Sequence, residues 1–283
     1  MRKTIIAVSA LCAIAASTAM ATKMAADTTP EEDLKVYRDY FAKRFPSVEV
    51  QDYANGVYAI DEVQRANWEA IEEFPPYEPM IDDGEAMWNK AFANGKTYAD
   101  CFDDGPGIKG KYPYWDKERK EVITLPMAIN ECREANGEEP LKYKKGKIAS
   151  LLAYMAYNSR GQVTYGEVPA VDADALKAYN VGKSFYFSRR GQLNFSCAHC
   201  HFESAGLLVR SDKLSPALGH TTHWPVYRSK WGELGTLHRR FTGCNKQVRA
   251  KPFKAHGKEY RNLEYFLTHM SNGIELNGPG ARK

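Results

Sequence analysis

The chain has 283 residues, with 39 Lys and Arg against 35 Asp and Glu, for a formal net charge of +4. This length allows one or two domains, and so balanced a charge argues against a nucleic-acid-binding protein. No segment after the N-terminus is apolar enough to cross a membrane.

The N-terminus has the three regions of a secretory signal peptide. Arg2 and Lys3 form a positive region, residues 4–16 are apolar, and residues 19–21 (Ala-Met-Ala) fit a small-x-small cleavage site. The apolar run is too short to span a bilayer well, and a buried N-terminal helix is the alternative. We therefore expect residues 1–21 to be removed, leaving a net charge of 4 − 2 = +2, and the mature protein to be in a bacterial periplasm.

The mature chain keeps an odd number of cysteines: Cys101, Cys132, Cys197, Cys200 and Cys244. Cysteines in an oxidising compartment usually pair in disulfides. At least one of these thiols must therefore have another role.

The N-terminal lead-in segment, residues 22–75, is polar. Residues 27–45 predict a helix, with Thr28 or Thr29 as its N-cap. The prolines and acids of residues 47–83 predict an ordered loop.

The rest of the chain consists of two halves with the same order of features. Each half has a glycine six residues before a cysteine, then a single later cysteine, and finally an amphipathic closing stretch. The features are Gly95, Cys101, Cys132 and residues 147–161 in the first half, and Gly191, Cys197, Cys244 and residues 262–273 in the second. This repetition indicates a duplicated domain, so we expect one domain over residues 76–165 and another over 166–283.

The segment CAHCH (197–201) carries the strongest chemical signal. Its two-residue gap lets Cys197 and Cys200 attach to the two vinyl groups of one haem, and His201 is then placed beneath the iron as a ligand. A zinc site would need further ligands at suitable spacing, and a redox disulfide would need a βαβ context. The pattern predicts one covalently bound haem c, with His199 as an exposed bystander.

The corresponding segment of the first half, CFDDG (101–105), lacks these groups. If Cys101 matches the first cysteine of CAHCH, then Asp104 and Gly105 stand where the second cysteine and the histidine would be. We therefore predict a mainly α fold of two tandem cytochrome c-like domains with long loops, the first lacking haem. Cys101 and Cys132 are then left over, and a disulfide is favoured over two buried free thiols.

The second axial ligand of the iron stays open among several residues. Met270 lies on the apolar face of the closing stretch, where a core role is the simpler interpretation, and His220 and His223 are further candidates. Cys244 is the unpaired thiol, and the cations around it would stabilise a thiolate, which is both a nucleophile and a metal ligand. Arg240, four residues earlier, could bind an oxyanion if the segment is helical. The alternative is a basic surface around a thiol that is buried or linked to another chain.

Together, FSCAHCH, the RRFTGC segment and the two cytochrome-like halves resemble the SoxA family, the haem subunit of the SoxAX cytochrome of thiosulfate oxidation. The resemblance implies an L-cysteine S-thiosulfotransferase that joins thiosulfate to a cysteine of the carrier protein SoxY(Z). It implies a SoxX partner with its own haem and an electron-acceptor cytochrome c. It also implies that Cys244 ligates the iron and is found as a persulfide, that Arg240 binds substrate, and that a Cys101–Cys132 disulfide replaces a first-domain haem.

Two other functions remain open. A plain electron-transfer cytochrome c would use His201 and Met270 as iron ligands and would leave Cys244 without a role. A docking subunit would leave catalysis to the rest of a complex, which is a use open to a domain that has lost its haem. The basic run around an unpaired cysteine favours the enzyme.

Overall fold

The structure, a computed structural model, describes residues 28–282, so the predicted signal peptide and its cleavage site lie outside the described residues. The fold is mainly helical, as predicted, and none of the helices in residues 28–282 is long and apolar enough to span a bilayer. The α-helices are α1 Pro30–Arg44, α2 Glu62–Glu72, α3 Glu78–Asn89, α4 Leu125–Ala135, α5 Lys147–Tyr157, α6 Ala173–Phe187, α7 Leu237–Gln247 and α8 Lys258–Met270.

Short strands and turns connect these helices. The strands are β1 Tyr114–Asp116, β2 Glu121–Ile123, β3 Leu208–Val209, β4 Asp212–Lys213, β5 Val226–Arg228, β6 Glu233–Gly235 and β7 Gly280–Arg282. The pairs β1–β2, β3–β4 and β5–β6 are antiparallel, and β7 adds to β5 in parallel. The 3₁₀ segments are Gln51–Ala59, Tyr98–Asp100 and Lys109–Lys111, and a π-helical turn covers His199–Glu203.

Residues 47–83 do not form the loop that their prolines and acids predict. They contain the 3₁₀ segment Gln51–Ala59, all of α2 and the start of α3. Asp61 caps α2 by accepting a hydrogen bond from the Gln64 amide at 2.9 Å, and Pro79 lies in the first turn of α3, where no amide donor is needed. The prediction was wrong because acids and prolines that disfavour a helix interior also begin helices.

The lead-in helix α1 begins as predicted and is tied to α6. Thr29 caps it, since the Thr29 hydroxyl accepts from the Glu32 amide while the Glu32 carboxylate accepts from the Thr29 amide. A buried ion pair joins Asp33 to Lys183 of α6 at 2.8 Å, and the Tyr179 hydroxyl donates to the same carboxylate. Because both charges are out of water, this contact fixes how α1 lies on the second half.

Two helix pairs cross at a glycine, one pair in each half. A Cβ on Gly84 of α3 would lie 2.2 Å from the Ser150 carbonyl oxygen of α5. A Cβ on Gly182 of α6 would lie 2.0 Å from the Asn262 carbonyl oxygen of α8. Only glycine lets the two backbones approach so closely. Both halves are therefore closed by the same kind of crossing.

A hairpin and the helix after it also repeat, at a constant separation. The pair β1–β2 leads into α4, and β5–β6 leads into α7, which begins 237 − 125 = 112 residues later. Cys132 and Cys244 keep this separation (244 − 132 = 112) and occupy the same place in their helices. Ser150 and Asn262, at the two glycine crossings, keep it as well. This regularity agrees with a duplication, and the bounds 76–165 and 166–283 stay a prediction.

The largest core cluster supports the CAHCH segment from behind. Tyr40 of α1 stacks on Phe202 with ring centroids 3.9 Å apart, and its hydroxyl donates to the Phe202 carbonyl at 2.9 Å. Tyr37 and Phe41 pack against the same ring. The aromatic cluster thus fixes the residue that follows His201.

We expect Gly182→Ala to destabilise the protein by about 1–3 kcal/mol, the usual cost of overpacking, because α6 and α8 must separate to admit the methyl group. Gly243→Ala is the matched control, since nothing lies within 4 Å of a Cβ there and alanine favours the helix by about 0.5–1 kcal/mol. Denaturant unfolding followed by circular dichroism measures both free energies. Equal stability of the two variants would contradict the close crossing.

Candidate haem and sulfur-anion site

The structure brings Cys244 of α7 to the CAHCH segment. Cys197, Cys200 and Cys244 are free, partly buried thiols. The charge of Cys244 acts on the thiols of both Cys197 and Cys200, and the His201 ring is hydrogen-bonded with Cys244. Four residues that were singled out from two distant segments therefore lie around one point.

His201 is held by its Nδ1 atom. Nδ1 lies 3.0 Å from the Ser215 carbonyl oxygen and donates to it, which leaves Nε2 as the nitrogen with a free lone pair. His220 contacts the edge of the His201 ring, with centroids 4.6 Å apart, and its Nε2 lies 3.0 Å from the Ser215 hydroxyl. His201 is thus oriented as a metal ligand would be, and His220 lies behind it as a supporting group.

The other candidate ligands lie elsewhere. Met270 is fully buried in the main core, the simpler of the interpretations offered for it. His223 is also buried. His199 is not the exposed bystander that was expected, because its side chain is only 18% exposed and its Nδ1 lies 2.7 Å from the Ser196 hydroxyl. The expectation failed because this position holds the start of the turn together.

Cys244 differs electrostatically from the other free thiols. Burial raises the pKa of Cys244, but the Arg240 charge, the His201 hydrogen bond and the Arg228 charge outweigh it and bring the pKa to about 7. Burial and the nearby Cys244 raise the pKa of Cys197 to about 12. Of the two, Cys244 is the thiol suited to be a nucleophile or an anionic ligand at neutral pH.

A basic cavity of about 830 Å³ is lined by Arg240 and Gly243 of α7, the residues four and one before Cys244 in the chain. Nine Lys and Arg residues line it, against a single acid, Asp212. Such a concentration of one sign of charge attracts anions. The first half contributes three of these cations, Lys142, Lys144 and Lys145.

Sequence reasoning identified Arg240 and missed the cavity residues that come from other segments. The lysines of the KYKK run, 142–145, lie about 100 residues before α7, and Arg228 comes from β5. The charge of the KYKK run was a usable signal, although nothing in the sequence tells which helix it lies beside. Arg228 carried no such signal.

The first half carries a disulfide in place of these groups. Cys101 and Cys132 are joined, with Cα atoms 5.9 Å apart, and this is the predicted pair. Asp104, at the position of the second cysteine, forms a surface ion pair with Lys111. Among the described residues, no group of three or more His, Cys, Asp or Glu side chains is arranged to hold a metal ion by itself.

Two cysteines and a fixed histidine on one turn, inside a helical domain closed by crossed helices, define a c-type cytochrome. Residues 83–163, which belong to the first half and do not include CAHCH, match the family model described as the SoxA/TsdA cytochrome c domain.

Known proteins identify the family more narrowly. The chain is 65% identical to the L-cysteine S-thiosulfotransferase subunit SoxA of Allochromatium vinosum, over 90% of this chain and 91% of that one. It is 54% identical to the subunit of the same name from Chlorobaculum thiosulfatiphilum, over 89% of this chain and 88% of that one. The crystal structure of SoxXA from P. pantotrophus superposes with a TM-score of 0.67 at 29% identity, covering 74% of this chain and 79% of the other. The chain belongs to the SoxA family of L-cysteine S-thiosulfotransferase subunits.

Proposed function

We propose that this chain works in the periplasm with a SoxX partner and joins thiosulfate to a cysteine of the carrier protein SoxY(Z). The observation that carries the proposal is the meeting of Cys244, with its lowered pKa, with Arg240 and His201 beside a basic cavity. A plain electron carrier needs neither an activated thiol nor a cationic cavity. An electron-transfer cytochrome that used Met270 as an iron ligand would also have to remove a fully buried side chain from the core.

The donor set fits one haem c. Cys197 and Cys200 would form the two thioethers, while His201 and Cys244 would ligate the iron. When bound, the haem supplies a redox centre whose potential depends on its axial ligands. The Cys101–Cys132 half offers no such set, so we infer one haem per chain, and the mass of the intact mature protein tests that number.

Arg240 and the cavity cations bind and orient the thiosulfate dianion. The guanidinium holds sulfonate oxygens through charge-assisted hydrogen bonds, which leaves the outer sulfur free to meet Cys244. The cavity also places the first half in the site, because Lys142, Lys144 and Lys145 form part of its wall. The first domain then serves substrate binding, although it holds no haem.

Cys244 acts as the sulfur that is exchanged. Its thiolate and thiosulfate form an S–S bond and release two electrons, which go to the acceptor cytochrome c. The carrier thiolate then attacks the sulfane sulfur, and the Cys244 thiolate leaves. A low thiol pKa favours the departure of Cys244. If Cys244 carries a persulfide, its outer sulfur would form and break the same S–S bond. In sum, a carrier thiol and thiosulfate give the carrier S-thiosulfonate, one proton and two electrons.

The test is to incubate the purified complex with thiosulfate, reduced carrier protein and ferricytochrome c. We expect the carrier mass to increase by one thiosulfate group, less the hydrogen that leaves the thiol, with two cytochromes c reduced per carrier modified. If cytochrome c is reduced while the carrier protein stays unmodified, the chain is a plain electron-transfer cytochrome. If the carrier protein is modified without dependence on Cys244 or Arg240, the chain is a docking subunit.

A further inference from the structure

We propose that Arg228 is a second substrate-binding residue and that Arg228 and Arg240 together bind the sulfonate group of thiosulfate beside Cys244. This inference rests on the proposed function and makes it more specific, because it assigns the group of the substrate that is recognised.

Within the described part of the chain, Arg228 is a cation that no carboxylate pairs with. It lies at the end of β5 in the wall of the basic cavity, and its guanidinium lies over the Trp231 ring, 5.4 Å from the centroid. Its Nε atom is buried and, within residues 28–282, has no hydrogen-bond partner. Asp212, the one acid of the cavity wall, raises the pKa of Arg228, but none of the ion pairs within residues 28–282 includes Arg228. Because a partly buried cation without a carboxylate partner is costly, this arrangement points to an anionic ligand.

Arg228, Arg240 and Cys244 act on one another. Burial lowers the pKa of Arg228 to about 10, the Arg240 charge lowers it as well, and Cys244 raises it. Arg228 also lowers the pKa of Cys244. Arg228 and Arg240, which both line the cavity, therefore lie near the reactive sulfur, and Arg228 still carries its charge at neutral pH.

The neighbouring Arg239 does not fill this role. Its guanidinium also lies over the Trp231 ring, 4.2 Å from the centroid, and is paired with Glu233 at 3.1 Å. Trp231 thus supports two arginines, of which one is neutralised by a carboxylate. Arg228 is the one left to bind an incoming anion.

The first half provides an internal comparison. At the separation of 112 residues, Arg228 corresponds to Asp116 (228 − 112) and Arg240 to Ala128 (240 − 112). In the backbone register, Asp116 stands opposite Glu121 as Arg228 stands opposite Glu233, so the hairpin forms without an arginine. The Glu233 carboxylate itself is paired with Lys145 and Arg239. Both arginines are missing in the half whose cysteine is tied in a disulfide. This pattern relates Arg228 to the free thiol and not to folding.

Two guanidiniums suit a sulfonate in particular. A sulfonate presents three oxygens, so two planar forks bind it from two sides while the outer sulfur stays free. Sulfur compounds without a sulfonate, such as hydrosulfide, would leave both arginines unpaired, and a site of that kind rejects them. Arg228 therefore selects for the sulfonate and does not take part in the sulfur exchange.

The test uses the purified complex and measures kcat and KM for thiosulfate, together with the Ki of sulfate as a competing oxyanion. We expect Arg228→Ala to raise the KM and the Ki by about 10- to 100-fold, the loss of charge-assisted hydrogen bonds. The kcat should change by less than about threefold, because Arg240 and His201, the larger causes of the lowered Cys244 pKa, remain. Arg228→Lys should recover only part of the loss, because an ammonium lacks the fork. Lys251→Ala, which removes an exposed cation outside the cavity wall, should change both constants by less than about twofold.

Three results would overturn the inference. If Arg228→Ala leaves the KM and the Ki unchanged while Arg240→Ala raises them, Arg228 is not a binding residue and the proposed function stands. If Arg228→Ala lowers kcat and the bound haem without a change in KM, Arg228 is structural. If neither arginine affects thiosulfate and Cys244→Ala stays active, the proposed function fails together with the inference.

Discussion

Cys244→Ala is expected to lower the rate of carrier conjugation by about 1,000-fold or more, as for loss of a nucleophile, while the haem stays covalently attached. The reason is that Cys244 is the free thiol whose pKa Arg240, His201 and Arg228 lower to about 7. Because we propose that Cys197 and Cys200 form the thioethers, the variant should still carry haem. Mass spectrometry of the carrier gives the rate, and denaturing gels stained for haem give the attachment.

Met270→Leu is the matched control for this experiment. It preserves volume in a fully buried position, so we expect a stability loss below about 1.5 kcal/mol and an unchanged conjugation rate. A plain electron-transfer cytochrome would instead be unaffected by Cys244→Ala and altered at its haem by Met270→Leu. The account is wrong if Cys244→Ala conjugates normally and Met270→Leu alters the haem.

Arg240→Ala is expected to lower kcat/KM for thiosulfate by about 100- to 1,000-fold, the usual effect of removing one preorganised donor from a developing anion. Arg240 both lines the cavity and lowers the pKa of Cys244, so its loss weakens substrate binding and the activated thiol together. The measurement is cytochrome c reduction at saturating carrier and varied thiosulfate.

Arg240→Lys and Lys251→Ala separate charge from position. Lysine keeps the charge without the fork, so Arg240→Lys should lie between the alanine variant and the unaltered protein. Lys251 is exposed and lies outside the cavity wall, so its loss should have little effect. If Arg240→Ala changes only the KM for the carrier, the chain is a docking subunit and not the thiosulfate-binding one.

The haem segment could be identified from the sequence because covalent attachment requires a fixed motif. CAHCH has little freedom, because two thioethers and one ligand require that spacing. Arg240 and Cys244 could also be identified from the sequence, because residues four apart in a helix share a face and α7 contains both. These inferences needed only local geometry.

Tertiary packing set the limit of the prediction. Arg228 reaches the site from β5, and Lys142 to Lys145 reach it from the other half, so no local pattern relates them to Cys244. The helices within residues 47–83 depend on caps such as Asp61, which also fit a loop.

The internal repeat was faint in sequence for a physical reason. The separation of Cys101 and Cys132 is 31 residues, whereas Cys197 and Cys244 are 244 − 197 = 47 residues apart. The second half therefore has 47 − 31 = 16 additional residues, in a region that includes β3, β4 and Ser215, the carbonyl partner of His201. The residue-by-residue correspondence between the two halves is lost across these additional residues and resumes at the hairpins.

The central claim of the proposal is that both Cys244 and His201 would ligate the haem iron. The most direct measurement is the low-temperature electron paramagnetic resonance spectrum of the ferric protein beside that of Cys244→Ala. We predict a low-spin signal of the thiolate type that disappears in the variant. A methionine-type signal that is the same in both proteins would contradict the account and leave an electron carrier with an incidental thiol.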